Sequence, residues 1–157
     1  MTVKVGDSID QMPIYTRKLQ THEGGSISLD DYRGKSSIVL FFYPKASTPG
    51  CTKEACKFRD EYSVFKDAGA VVLGISGDSP DTNAAFAKAQ RLPFPLLSDE
   101  GNDFRKALGV KKDLFGLLPG RQTYVFDKEG KVALVFNSQM KAEQHIQEAL
   151  NVIKMLN

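Results

Sequence analysis

The side chains best suited to chemistry are two cysteines in the segment Pro44-Lys45-Ala46-Ser47-Thr48-Pro49-Gly50-Cys51-Thr52-Lys53-Glu54-Ala55-Cys56. A cysteine is a nucleophile in its thiolate form. Cys51 falls at the first turn of an expected helix, after a buried strand and a short loop. Unsatisfied N–H groups and the positive end of the helix dipole lie there, and both favour thiolate over thiol. Open α/β sheets also place ligand sites beyond the carboxyl ends of their strands. The competing reading makes both cysteines inert core residues. The helical wheel treats them differently. Cys51 shares the apolar stripe, four residues before Ala55, whereas Cys56 lies with Arg59, Asp60 and Ser63 on a polar side.

Two residues five apart on a helix rise about 7.5 Å and differ by about 140° in direction, so their Cα atoms lie roughly 8–9 Å apart. A disulfide needs less than about 7 Å. If Cys51 and Cys56 bond, the first turn or two of the helix must unwind. Thr48-Pro49-Gly50 suits such a change, since proline restricts one side and glycine frees the other. The expectation is a site with a folded reduced form and a locally unwound oxidised form.

The elements that must position these cysteines follow from hydrophobic periodicity. Ser37 to Tyr43 is almost continuously apolar and reads as a strand buried on both faces. Ala55, Phe58, Tyr62 and Phe65 then recur at helical spacing, and Gly69 closes that helix. Ala70 to Ile75 is a second buried strand, so strand, helix and strand form a parallel unit with a right-handed crossover. Ser79-Pro80-Asp81 opens a second helix, capped by the serine, that stops before Pro93. Phe94 to Leu97 reads as a short strand, and Asp103 to Leu108 as a short helix closed by Gly109. Gln122 to Asp127 and Lys131 to Phe136 flank a hairpin turn at Lys128-Glu129-Gly130. Lys141 to Leu156 is an amphipathic helix with Ile146, Leu150 and Ile153 inward. Near the N-terminus, Glu23-Gly24-Gly25 looks like a hairpin tip and Tyr32-Arg33-Gly34-Lys35 like a turn. The pattern predicts one α/β domain over 1–157, a mixed sheet flanked by helices.

Composition narrows the rest. The chain has 157 residues, 41% of them hydrophobic, and a formal net charge of +2. That balance excludes disorder and a basic nucleic-acid-binding face. No run approaches the roughly 18 apolar residues of a membrane span. The N-terminus lacks a signal-peptide core and a transit-peptide composition, so the protein works where it is made or is a trimmed mature form. With His22 and His145 the cysteines make four potential metal ligands, but the spacing matches no common zinc pattern. His22 sits in a polar loop and His145 on the last helix, and both read as surface or boundary residues. Gly34-Lys35-Ser36 fails as a phosphate loop because the first required glycine is Leu29. Gly74-Ile75-Ser76-Gly77 lacks the third glycine of a dinucleotide fingerprint. The cysteines are not Cys-x-x-Cys, which disfavours a general disulfide exchanger.

Pro44, Thr48 and Cys51 reproduce the peroxiredoxin pattern of proline, three residues, threonine, two residues, cysteine. FFYPKASTPGCTKEAC, LGISGDSPD, LPFPLLSDEGN and LPGRQTYVFD, in that order, resemble the peroxiredoxin Q group, also called bacterioferritin comigratory protein. The resemblance runs over nearly the whole chain and is weakest in the first 30 residues. It implies a thioredoxin-like fold, here with an N-terminal β-hairpin extension, and peroxide reduction by cysteine chemistry without a cofactor. It makes Cys51 the peroxidatic and Cys56 the resolving cysteine of an intramolecular disulfide. Thr48 would set its hydroxyl against peroxide and thiolate, and Pro44 would wall the pocket. Arg121 would be the active-site arginine and Glu54 would hold it, with Gly50 in a supporting role. Read without the resemblance, Arg121 is a surface ion-pair residue, Glu54 a first-turn acid, and Thr48 a turn residue or helix cap.

Hydrogen peroxide and organic hydroperoxides are the implied substrates, and thioredoxin or a glutaredoxin-like dithiol the implied reductant, for a monomer. A redox sensor using the same disulfide with little turnover is the alternative. LPGRQTYVFD looks like the plant, algal and cyanobacterial branch, which favours the chloroplast over a bacterial or cyanobacterial cytoplasm. Leu114-Phe115-Gly116-Leu117-Leu118 is either a loop folded onto the core or an exposed lip for bulky hydroperoxides or thioredoxin.

Overall fold

The computed structural model describes residues 3–8, 13–110, 120–138 and 141–156. Its elements are β1 (Leu19–Thr21), β2 (Ser26–Ile27), β3 (Ser37–Phe42), α1 (Pro49–Asp60), α2 (Tyr62–Asp67), β4 (Ala70–Ser76), α3 (Pro80–Gln90), β5 (Leu96–Ser98), α4 (Asp103–Leu108), β6 (Gln122–Phe126), β7 (Val132–Asn137) and α5 (Ala142–Met155). The described strands form one seven-stranded sheet in the order β2-β1-β5-β4-β3-β6-β7. β3, β4 and β5 run parallel, and the β1–β2, β1–β5, β3–β6 and β6–β7 pairs are antiparallel. This is the expected mixed sheet, with the β1–β2 hairpin added at one edge. Among the described residues no helix is long and apolar enough to cross a membrane.

β3 reads as an unbroken apolar run because both its faces are covered. Val39 and Phe41 pack with Phe58, Phe65, Ile146 and Ile153 of the helices on one face. Ile38, Leu40 and Phe42 pack on the other with Phe104 and Leu108 of α4 and with Tyr15 and Leu29. The same period of two puts Val125 of β6 in the first cluster and Tyr124 and Phe126 in the second.

Two boundaries differ from expectation. The first helix breaks at Glu61, where the backbone leaves the helical region at φ −100° and ψ 6°. Phe58 and Phe65 are fully buried on either side, while Tyr62 is only partly covered and lies 5.8 Å from the Phe94 ring. No glycine or proline marks the break, so periodicity runs across it unseen. β5 begins at Leu96, not Phe94. Pro95 has no N–H to give a ladder, and only its carbonyl pairs, with Gly74 N at 3.1 Å.

Candidate active site

β3 delivers the chain to one end of the sheet, and Tyr43 N still bonds Ile75 O at 3.0 Å. The loop from Pro44 to Thr48 then turns back into α1. Ser47 adopts the left-handed conformation at φ 66°. Asp78, just past β4, holds the loop: its Oδ2 accepts from Ala46 N and from Ser76 Oγ, each at 2.8 Å. Thr48 is the N-cap residue of α1 and Pro49 its first helical residue. Thr52 N reaches Thr48 O at 2.8 Å and starts the helix.

The Thr48 hydroxyl does not cap the helix by its side chain. It donates to Lys45 O at 2.7 Å, inside the loop. Pro44 and Gly50 are half-buried beside it.

Cys51 is 1% exposed, and Glu54, Ala55 and Phe58 on its stripe are completely buried. The i, i+3 relation therefore sends a carboxylate into the core directly behind the sulfur. β6 meets it from below. Arg121 immediately precedes the strand, and the period of two places Arg121 and Thr123 on the face that α1 and α5 cover. Arg121 Nη1 donates to Glu54 Oε1 at 2.7 Å, and Nη2 reaches Cys51 Sγ at 3.4 Å. Both Arg121 and Glu54 are nearly or fully inaccessible. The surface ion-pair and first-turn-acid alternatives for these residues do not describe the structure.

Burial pulls the Arg121 guanidinium down, but the Glu54 carboxylate and the Cys51 sulfur outweigh it and leave its pKa raised. Burial pushes Glu54 the other way, up to about 8, with Arg121 opposing.

His145 is a correction to the sequence reading. It is completely buried, not at the surface or boundary. Its Nε2 lies 2.8 Å from Ser138 O, and its Nδ1 lies 2.7 Å from Thr123 Oγ1 and 3.5 Å from Glu54 Oε2. A carbonyl only accepts, so Nε2 carries the proton and neutral Nδ1 accepts from the Thr123 hydroxyl. Burial holds its pKa down at about 4, with the Ser138 carbonyl opposing and Arg121 adding to the depression. The signal was present in the sequence. Ala142, Ala149 and Ile153 share the inward stripe of α5, and His145 lies three residues after the first and four before the second.

Arg105 and Asp78 also escaped sequence reasoning. Buried Arg105 donates to Gly120 O and, at 3.0 Å, to Tyr43 O. It thus ties the residue before Arg121 to the residue before Pro44.

Cys56 lies on the outer side of α1 and is half-buried; both cysteines are free thiols. His22 is away from this cluster, accepting from Leu96 N at 3.1 Å. No set of three or more His, Cys, Asp or Glu among the described residues could hold a metal ion. The apolar segment 114–118 lies outside the described residues.

The mixed sheet with helices on both faces is that of a thioredoxin-fold protein, here with a thiol at a helix N-terminus and a buried guanidinium at its sulfur. Residues 10–135 match the AhpC/TSA family. The chloroplastic peroxiredoxin Q of Populus jackii is 56% identical over 144 residues, which are 92% of this chain and 66% of that relative. The crystal structure of peroxidoxin BcpB from Mycobacterium tuberculosis is similar with a TM-score of 0.87 at 36% identity, over 99% of both chains. A Xanthomonas campestris bacterioferritin comigratory protein, whose structures concern alkyl peroxide reduction, gives a TM-score of 0.84 at 28% identity over 98% of this chain and 96% of that one. The chain belongs to the AhpC/TSA family, in its peroxiredoxin Q group. It spans about two-thirds of the length of the poplar relative.

Proposed function

We propose that this chain is a thiol-dependent peroxidase that reduces hydrogen peroxide and alkyl hydroperoxides. The observation that carries the reading is the 3.4 Å contact of Arg121 Nη2 with Cys51 Sγ, backed by Glu54. In the attack, the Cys51 thiolate displaces at a peroxide oxygen, and the O–O bond breaks. Negative charge moves from sulfur to the leaving oxygen. A fixed guanidinium beside that path stabilises the transition state more than the ground state. The Thr48 hydroxyl gives its proton to Lys45 O, so its lone pairs are available to accept from the O–H of a bound hydroperoxide. Pro44 shields the pocket from water.

The leaving oxygen departs as hydroxide or alkoxide and takes a proton from water, and Cys51 becomes a sulfenic acid. The Cys56 thiol condenses with it, releasing water and closing a disulfide. Thioredoxin or a related dithiol then reduces the disulfide by thiol exchange. The cycle calls for no second copy of the chain, because both cysteines lie on one helix, and the protein acts as a monomer on this reading. It works in the chloroplast, the compartment for which its plant relatives are named.

The test is intact mass and free-thiol count before and after one equivalent of hydrogen peroxide. The expected result is loss of two hydrogens and both thiols without a linked dimer, and loss of all peroxide consumption in Cys51→Ser. Unreactive thiols would overturn the peroxidase reading. Disulfide formation without sustained thioredoxin-dependent turnover would make the protein a redox switch.

A further inference from the structure

Gln90, the last residue of α3, faces the polar side of α1. Its Oε1 accepts from Cys56 Sγ at 3.3 Å, and its backbone oxygen accepts from Arg59 Nη1 at 2.8 Å. Cys56 and Arg59 are three apart and share one side of α1, so a single residue fastens a full helical turn. Gln90 is itself well anchored. Arg91 takes the left-handed conformation at φ 54°, Leu92 N returns to Ala87 O at 2.9 Å, and Leu92 and Phe94 are buried.

We infer that Gln90 is a latch that sets how fast Cys56 reaches the oxidised Cys51. This rests on the resolving role proposed for Cys56. The two sulfurs point about 140° apart around an intact α1. Their union requires part of that helix to unwind. Whichever end gives way, the Cys56–Gln90 hydrogen bond is lost. In Cys51–SOH + HS–Cys56 → Cys51–S–S–Cys56 + H2O, the S–H proton leaves with the sulfenic oxygen, and that proton is the one Gln90 Oε1 holds. The Arg59 bond to Gln90 O holds the turn on the far side of Cys56 in place. While the latch is closed, a second peroxide competes for the sulfenic acid and carries it to sulfinic acid. The latch therefore divides each oxidised Cys51 between recycling and irreversible loss.

The experiment uses the full-length reduced protein mixed with hydrogen peroxide. The reaction is quenched on the millisecond scale, sulfenic acid is trapped, and the thiol, sulfenic, sulfinic and disulfide forms are read by intact mass. Gln90→Met keeps the side-chain length and removes the acceptor, and Gln90→Glu keeps an acceptor oxygen. Arg59→Met opens the other half of the latch.

In Gln90→Met and Arg59→Met, the step from sulfenic acid to disulfide should accelerate about 2- to 10-fold, the range spanned by one net hydrogen bond. Consumption of the first peroxide should stay unchanged, and the peroxide dose for half-inactivation should rise by the same factor. Gln90→Glu should remain near wild type. Disulfide formation at the wild-type rate or slower in both methionine variants overturns the latch. A persistent sulfenic acid or a linked dimer in the wild-type protein instead overturns the resolving role of Cys56, and the latch with it.

Discussion

A methyl group at position 50 would lie 2.9 Å from Arg121 Nη2. Gly50 is therefore needed for the close approach of the guanidinium to α1, and its value is in the missing side chain. In Gly50→Ala the cheapest relief is a shift of the arginine away from Cys51. A misplacement on the order of 1 Å can cost about 10²-fold in rate, so a shift of several tenths predicts a loss of roughly 10-fold in the second-order rate with peroxide. The thermal midpoint should change little, because the guanidinium is the tip of a long side chain. Stopped-flow peroxide consumption beside a thermal melt separates the two effects.

At the scale of elements, the site is where α1, β6 and α5 meet. α1 brings Cys51 and Glu54, β6 brings Thr123 just after Arg121, and α5 brings His145. An exposed ion pair, Lys53 to Glu143 at 3.3 Å, also joins α1 to α5, but screening makes it a minor contributor. The buried histidine matters more. His145→Leu would strand the Thr123 hydroxyl and the Ser138 carbonyl without their partner, at a cost of about 2–4 kcal/mol in unfolding free energy. His145→Gln, which can both donate and accept, should recover part of that loss. Urea unfolding of the three proteins under reducing conditions tests the order wild type, Gln, Leu.

For the whole molecule, the buried acid and base give opposite pH dependences. Glu54 moves from 4.5 unfolded to about 8 folded. Its contribution is fully present below 4.5 and is lost as pH rises through 8. His145 moves from 6.5 to about 4, so its contribution is present above 6.5 and is lost as pH falls through 4. Between pH 4.5 and 6.5 the two slopes oppose each other, and between 6.5 and 8 only the Glu54 slope of this pair remains. Unfolding free energy should therefore decline over pH 6.5–8 in the wild type, and the decline should flatten in Glu54→Gln. Urea midpoints at half-unit pH steps read this directly. Parallel profiles for the two proteins would refute the assignment to Glu54.

What the sequence determined by itself was whatever depends on local order along the chain. Strand burial, the capping serine of α3, the glycines that close the helices and the hairpin turns are encoded within a few residues. The position of Cys51 at the first turn of α1 is local too, and the motif from Pro44 to Cys56 carried the family resemblance. Tertiary structure alone decided what meets the sulfur. Arg121 is 70 positions from Cys51, and spacing cannot distinguish a buried guanidinium from one in water. His145 divides between the two. Its place on the inward stripe of α5 is local, but a histidine on a helix has no local partner, and only the fold brings Thr123, Ser138 and Glu54 around it. Gln90 and Arg105 carry no motif at all, and their roles follow from packing. The physical reason is range. Propensity and periodicity act over a few residues, whereas desolvation and hydrogen-bond partners depend on which surfaces the folded sheet and helices bring together.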